Sequence, residues 1–183
     1  MSDIVAFCFK KFSDPDMFQV SKEGALIQRI MKPYGWISAI TDTVMRSGRH
    51  AAEFVLHVCH LDALNILIGV GYPNKSDKMA AMRGISYATK NASVYGTSVP
   101  NDGFSNCCVC NSGDVIGCFV DFNLKMVLFT LNEKPLVGPL YNENLFEKGM
   151  VWAADLSGKD DTVELRAARQ PWPEWPTAIH PRK

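Results

Sequence analysis

The stretch that decides the fold is Gly113–Leu136, GDVIGCFVDFNLKMVLFTLNEKPL. It holds two apolar runs, Val115–Phe122 and Met126–Leu131, joined by the turn residues Asn123-Leu124-Lys125. Side chains of a strand alternate between its two faces, and here both faces of both runs are mostly apolar. Strands of this kind are typical of the interior of a sheet. The stretch therefore predicts a central hairpin, with a second reversal at Asn132-Glu133-Lys134.

Most of the remaining chain repeats this pattern of short apolar or alternating runs, separated by turn residues about every eight to twelve positions. No long helix is predicted, and the best candidate is the short segment Ser76–Met82. The pattern predicts an all-β sandwich. The other predicted strands are Met17–Val20, Ala25–Ile30, Ala52–Leu61, Leu64–Tyr72, Gly84–Ala88, Cys107–Cys110, Met150–Asp155 and Thr162–Ala167.

Glycines mark two special places in these strands. Gly24 ends the turn between the first two runs, where a positive φ is expected. Gly69 and Gly71 fall on the same face of a buried strand, so we expect another segment to pack closely there or the strand to bend.

Length and composition predict one globular domain. The chain has 183 residues, 47% hydrophobic and 21% charged. Lysine plus arginine equals aspartate plus glutamate at 19 each, so no global field attracts nucleic acid or an anionic membrane. We predict an N-terminal extension at 1–16, a β-sandwich at 17–169, and a tail rich in proline and tryptophan at 170–183.

The cellular compartment is predicted from the N-terminus and the cysteines. The short apolar piece Ile4–Phe9 follows no basic segment, so no secretory signal is expected, and no run reaches the length of a membrane span. The six cysteines are then most simply free thiols in a reducing compartment, which predicts a cytoplasmic protein.

The motif Gly113–Cys118 (GDVIGC), followed by Asp121 and by Phe129–Asn132 (FTLN), resembles the signature of SPRY domains. Ser47–His50 (SGRH) resembles the family's SGKHYxE strand, and Gly84–Tyr87 (GISY) its GYSY segment. Order and spacing match over roughly residues 17–167. The resemblance implies a bent sandwich of two antiparallel sheets with concanavalin-like jelly-roll topology and little helix. It also implies a non-enzymatic module that binds short protein segments through loops at one end.

Several positions differ from the family pattern and indicate a divergent member. Ala51-Ala52 replaces the usual aromatic before Glu53, and Glu133 replaces the glycine expected after Asn132. The glycine common in the turn at 123–125 is missing, as is the proline usual near Met150. Each change affects turn geometry or packing.

Three loops carry the candidate peptide-binding residues, and we expect loops 31–36, 72–83 and 155–161 to form one shallow pocket. Its partner would be an extended protein or peptide segment, held by backbone hydrogen bonds and one or two side-chain anchors. Tyrosine and tryptophan suit such contacts, although core packing of Trp36 and plain solvated turns remain open alternatives. The candidate residues are Pro33, Tyr34, Trp36, Tyr72, Pro73, Lys75, Ser157, Gly158 and Lys159.

No residue pattern points to catalysis, a metal or a cofactor. In the cluster Cys107–Cys110 the thiols would point to both faces of a strand, so buried free thiols fit better than zinc ligands. In the stretch His57–His60 (HVCH) the last histidine faces away, and His57 is read as a core or cross-strand histidine. There is no GxSxG elbow and no glycine-rich phosphate loop. Two alternatives to peptide binding remain: a carbohydrate-binding sandwich and a structural subunit of a larger complex.

The tail carries Trp172 and Trp175 among Pro171, Pro173 and Pro176. Such a segment favours an extended, polyproline-like conformation. Two exposed tryptophans would leave apolar surface in water, which favours docking onto the sandwich over serving as a ligand for another domain. We expect the protein to be a monomer.

Overall fold

The computed structural model describes residues 7–31, 35–59, 66–73, 79–96, 108–169 and 171–173. Its helices are α1 (Ala80–Arg83) and α2 (Glu143–Lys148), with short 3-10 turns at Pro15–Met17 and Lys22–Gly24. The strands are β1 (Phe9–Phe12), β2 (Phe18–Ser21), β3 (Leu26–Arg29), β4 (Ile37–Thr41), β5 (Arg49–Val58), β6 (Ile66–Gly71), β7 (Ile85–Ala88), β8 (Ser93–Tyr95), β9 (Val115–Asp121), β10 (Met126–Leu131), β11 (Lys134–Leu140), β12 (Val151–Leu156) and β13 (Thr162–Ala167).

The strands form two antiparallel sheets that pack face to face. The six-stranded sheet has the order β1-β4-β12-β6-β7-β8, and the seven-stranded sheet has the order β11-β10-β9-β5-β13-β3-β2. This confirms the predicted all-β sandwich. The hairpin β9–β10 lies inside its sheet, between β11 and β5, as its two apolar faces predicted.

The core lies between the sheets and is rich in aromatic rings. Trp152 from the six-stranded sheet meets Phe54 from the seven-stranded sheet edge-on, with ring centroids 6.4 Å apart. Tyr87 and Phe129 make a similar contact at 6.2 Å. All four rings are almost fully buried, and each contributes about 2–3 kcal/mol or more by leaving water. Cys118 is buried in the same core.

The turns that join these strands follow the sequence in part. Gly24 has a φ of 96°, as predicted. Asn132 and Glu133, with φ of 48° and 69°, form the two-residue reversal between β10 and β11. In the β9–β10 turn the left-handed residue is Lys125, whereas Asn123 donates its N–H to the Asp121 carboxylate. Glu133 therefore adopts the left-handed conformation that glycine favours.

The sequence analysis missed β1, β4, β8, β11 and α2. Two prolines, Pro135 and Pro139, hid β11, which tolerates them because it is an edge strand. Helix α2 is short and begins at Asn142, whose side chain accepts a hydrogen bond from the N–H of Leu145. The strand predicted at Cys107–Cys110 is wrong for its described part, because Cys108–Cys110 is irregular.

The two ends of the chain also join the sandwich. β1 lies within the segment 1–16 that we predicted as an extension, and it pairs with β4, so the six-stranded sheet begins before residue 17. In the tail, Trp172 packs edge-on against Phe119 of β9. This contact agrees with docking of Trp172, while Trp175 lies outside the described residues. Among the described residues, no helix has the length and apolar character needed to cross a membrane.

Candidate functional site

Strand register places the predicted loops at two different ends of the six-stranded sheet. β6 and β12 are antiparallel, with Ile66 opposite Leu156 and Gly71 opposite Val151. Five residues of strand separate these two levels, a distance of about 17 Å. The loop after β6 therefore starts at one end of the sheet, and the loop after β12 starts at the other.

Tyr72 and Pro73, which follow β6, make internal contacts at their end. Tyr72 packs against the core, with the ammonium of Lys148 5.5 Å from the centre of its ring. Pro73 is buried, and its carbonyl accepts a hydrogen bond from Lys11 Nζ at 3.5 Å. The structure does not bring these two residues together with the loop at 156–161. Lys75 lies outside the described residues.

Helix α1 lies on the outer face of the six-stranded sheet, the face turned away from the other sheet. The N–H groups of Ala81 and Met82 donate to the two oxygens of Asp155 at 3.1 and 3.0 Å. The N–H of Ala80 donates to Ser38 Oγ at 3.0 Å. These hydrogen bonds attach helix α1 to the outer face, and we call α1 the cover of this face.

Close backbone packing explains a glycine under this helix. A Cβ at Gly71 would lie 2.9 Å from the carbonyl oxygen of Ala80 and 3.2 Å from Cβ of Ala153. At Gly69 it would lie 2.3 Å from the carbonyl oxygen of Ile85. The close approach predicted for Gly69 and Gly71 is confirmed.

Asp155 is the buried charge of this region, with no exposed surface. Burial raises its pKa from the ordinary value to about 6, while hydrogen bonds from Ser38 and from the α1 N–H groups oppose the rise. The carboxylate is therefore a structural acceptor for α1. No external group reaches it in its buried position.

Arg29 organises the opposite set of loops, which we call the Arg29 end: residues 29–31, 35–36 and 156–161. Its Nη1 donates to the carbonyls of Gly35 and Leu156, both at 2.8 Å, and its Nε donates to the carbonyl of Met31 at 3.2 Å. One fully buried guanidinium thus joins three loop segments.

Backbone bonds and a carboxylate complete the Arg29 end. The Arg29 N–H donates to the carbonyl of Asp161 at 3.0 Å, and the Asp160 N–H donates to the carbonyl of Arg29 at 2.7 Å. Burial lowers the pKa of the Arg29 guanidinium, and the negative charge of Asp161 opposes this. These bonds join the described segments of the Arg29 end to one another.

The surface of the Arg29 end combines apolar and cationic side chains. Ile30 and Met31 are 38% and 51% exposed, and Lys159 is also exposed. Trp36 is half-buried and packs against the apolar cluster under α1, which also contacts Met82. The structure thus brings the first predicted loop, through Trp36, to the same face as α1.

Four further residues were predicted as contacts. Gly158 is buried and its N–H donates to Asp161 at 2.6 Å, so this N–H is already used within the protein. Ser157 is half-buried beside it. Pro33 and Tyr34 lie outside the described residues.

Sequence reasoning missed Arg29, the residue that positions this end. A signal was present: in β3, Arg29 lies two positions after Ile27 and shares its buried face. A buried arginine needs several acceptors, and loop carbonyls supply them. The sequence does not show which loops provide these carbonyls, because Leu156 is 127 positions away along the chain.

The thiols and histidines form no metal site in the described part of the chain, where no group of three or more His, Cys, Asp or Glu side chains could hold an ion. Cys59 and Cys110 are buried free thiols, but Cys108 is exposed, which corrects the prediction of buried thiols at that position. His57 is a cross-strand histidine, with Nε2 2.7 Å from the carboxylate of Glu164.

Comparison with solved structures agrees with this architecture. The SPRY domain of human HERC1 has 15% sequence identity and a TM-score of 0.65, and the alignment covers 86% of this chain and 99% of that domain. A human SPRY domain has 18% identity and a TM-score of 0.63, with 86% and 97% coverage. No protein-family model matches the chain, and no curated protein matches it in sequence. The likeness to these domains, over 86% of this chain in both cases, shows that the chain has the SPRY-domain fold.

Proposed function

We propose that this protein is a non-enzymatic interaction module that binds a short segment of another protein at the Arg29 end. The observation that carries the proposal is the exposure of two apolar side chains, Ile30 and Met31, and of Lys159, on loop segments that the buried Arg29 joins. The SPRY-domain fold supports the same class of function by resemblance.

Preorganisation is the physical reason why this surface suits a peptide. A rigid surface avoids part of the entropy that loop ordering would cost on binding. Ile30 and Met31 would bury apolar area against a partner, and Lys159 would pair with an acidic group of the partner. Trp36, Ser157, Pro33 and Tyr34 are further proposed contacts because they belong to the same loops.

A peptide array tests this placement. We expect Met31→Asp to lower the affinity for the peptides that wild type binds by about tenfold or more, because the substitution puts an unpaired charge at the apolar contact. The matched control is Leu124→Asp, which makes the same kind of change at a side chain that is 57% exposed in the β9–β10 turn. Tyr72→Ala is a second control, at the other end of β6. Equal losses for Met31→Asp and Leu124→Asp would contradict the placement.

The carbohydrate alternative gains no support from the geometry. A glycosidase of the usual kind needs two carboxyl groups that flank the substrate bond. In the described part of the chain, the four buried carboxylates accept hydrogen bonds from the protein itself: Asp155 from α1, Asp121 from Arg49, Glu53 from Arg166, and Asp161 from the Gly158 N–H. These carboxylates are committed to holding the fold.

We also propose a cytoplasmic, reducing location. Cys59, Cys110 and Cys118 are free and buried, and burial raises the pKa of the Cys118 thiol well above its ordinary value. Buried neutral thiols behave as small apolar side chains. Fractionation of the native cell, followed by thiol labelling of the unfolded protein, tests this: a mostly oxidised pool in a secretory fraction would contradict it.

A further inference from the structure

The outer face of the seven-stranded sheet carries a contact with the tail that the proposed function does not use. Two residues after β13, the N–H of Arg169 donates to the buried carboxylate of Glu53 at 2.9 Å. Trp172 then lies on the sheet, with its ring 5.4 Å from that of Phe119 at an interplanar angle of 76°. Phe119 has no exposed surface in this arrangement.

A fixed cation completes the contact. The guanidinium of Arg49 lies 5.0 Å from the centre of the Trp172 ring. Its Nε donates to Asp121 at 2.7 Å, and the side chain of Asp121 is only 1% exposed. The other oxygen of Asp121 accepts from the N–H groups of Asn123 and Leu124 at 2.9 and 3.0 Å. The tryptophan therefore meets a cation on one side and an aromatic ring on another.

The sheet itself positions these groups. Phe119 and Asp121 are residues of β9, Arg49 begins β5, and the two strands pair in register with Arg49 opposite Asp121. Edge-to-face aromatic contacts and cation–π contacts both stabilise a tryptophan in such a position. Prolines on both sides of the tryptophan restrict the backbone, so little entropy is lost when the segment binds.

We propose that Arg49, Asp121 and Phe119 form a recognition site for a proline-flanked tryptophan, that Trp172 occupies it in the free protein, and that it binds the same motif from another polypeptide when Trp172 leaves. The occupant is an extended Pro-Trp-Pro segment. This site lies on the outer face of the seven-stranded sheet and does not depend on the peptide site proposed at the Arg29 end.

A free peptide must compete with the tethered Trp172 for this site, so Trp172 has to leave before the peptide binds. A segment tethered a few residues away has an effective concentration in the millimolar range or above. A single tryptophan contact of this kind gives only a weak intermolecular affinity, on the order of 0.1–1 mM. Wild type therefore binds a free peptide poorly, and a variant without the tail tryptophans binds it measurably.

The test uses the full chain with Trp172→Ala and Trp175→Ala together, which removes both indoles of the tail. It is titrated with the synthetic peptide RQPWPE, the sequence of residues 169–174, and with the control peptide RQPAPE. Binding is followed by NMR through the Arg49 Nε–H signal and the Phe119 amide. We expect RQPWPE to bind at least about tenfold more tightly than RQPAPE, and at least about tenfold more tightly to this variant than to wild type.

Adding Arg49→Ala to the variant should weaken the binding of RQPWPE by about threefold. Adding Lys22→Ala, which removes a cation in the turn between β2 and β3, should not change the binding. Equal affinity for the two peptides, or wild-type affinity equal to that of the vacated variant, would overturn the proposal. Should the variant not fold, wild type is titrated with several millimolar RQPWPE. Loss of the NOE between Trp172 and Phe119 then supports the proposal, and an unchanged NOE at saturating peptide contradicts it.

Discussion

The two sheets differ in what covers the apolar side chains on their outer faces. Each has apolar side chains on its outer face, such as Ile40 and Leu67 on the six-stranded sheet and Phe119 on the seven-stranded sheet. Helix α1, an internal segment, covers the first face. Trp172 of the tail covers part of the second, at Phe119.

The two covers differ in how they are attached. Helix α1 donates backbone N–H groups to the buried side chains Asp155 and Ser38, and it packs so closely that the strand below needs Gly71. Trp172 is held through ring contacts and one backbone bond at Arg169. Backbone bonds in a buried place are costly to break, while a ring can leave a half-exposed site at small cost. We therefore expect α1 to be part of the fold and Trp172 to be removable from its site.

The largest expected effect comes from disturbing the α1 cover at Gly84→Ala. Its Cβ would lie 1.8 Å from the carbonyl oxygen of Val70, and backbone atoms of paired strands cannot yield by that much. We expect the free energy of unfolding to fall by roughly 4 kcal/mol, measured by urea denaturation. The control is Gly48→Ala, which has nothing within 4 Å and a φ of 76°, and should cost only about 1 kcal/mol. Similar losses at both positions would show that α1 is not closely packed.

The second effect is the pH dependence caused by Asp155. Its pKa is about 6 in the folded protein and 3.8 ordinarily, so the folded state binds more protons between these values. The stabilisation that protonated Asp155 gives the folded state is fully present below pH 3.8 and is lost as the pH rises through about 6. The free energy of unfolding changes by about 3 kcal/mol over this range. Asp155→Asn lacks this titration. The difference in unfolding free energy between wild type and the variant should therefore shift in favour of the variant between pH 4 and 7.5. If the difference in unfolding free energy between wild type and variant stayed constant over this pH range, the raised pKa of Asp155 would be contradicted.

Removal of the other cover should cost less. We expect Trp172→Ala to lower the free energy of unfolding by about 1–2 kcal/mol, because the ring is half-buried and makes one aromatic contact. Hydrogen exchange of the Ala81 and Met82 amides should stay slow, because α1 does not depend on the tail. Pro171→Ala, at an exposed neighbour, serves as the control with little expected change. A loss as large as that of Gly84→Ala would mean that the tail is part of the fold.

The smallest effect concerns the cation over the ring. Arg49→Lys keeps the charge but loses the planar group that bonds Asp121 through Nε. We expect the free energy of unfolding, measured by thermal denaturation, to fall by about 0.5 kcal/mol, and by less when Trp172→Ala is already present. An equal loss in both backgrounds would show that Arg49 acts on Asp121 alone and not on the tryptophan.

Sequence reasoning found the fold where the periodicity is strong and lost it where local signals conflict. Both faces of β9 and β10 are mostly apolar, and these strands pair with each other in the interior of their sheet, as predicted. The prolines of β11 and the lysines of β1 hid edge strands, because edge positions accept residues that central strands exclude. For the candidate site, the loops at 31–36 and 155–161 were predicted, but Arg29, which joins them, was not.

The sequence alone determined that this chain forms an all-β sandwich, because alternating and doubly apolar runs can bury their side chains only in stacked sheets. The tertiary structure decided which loops share an end. The register of β6 against β12 separates Tyr72 from Ser157, and no local pattern specifies that register across 80 or so residues of chain. It also decided the partner of each buried charge, since Arg29 and Asp155 find their partners far along the chain.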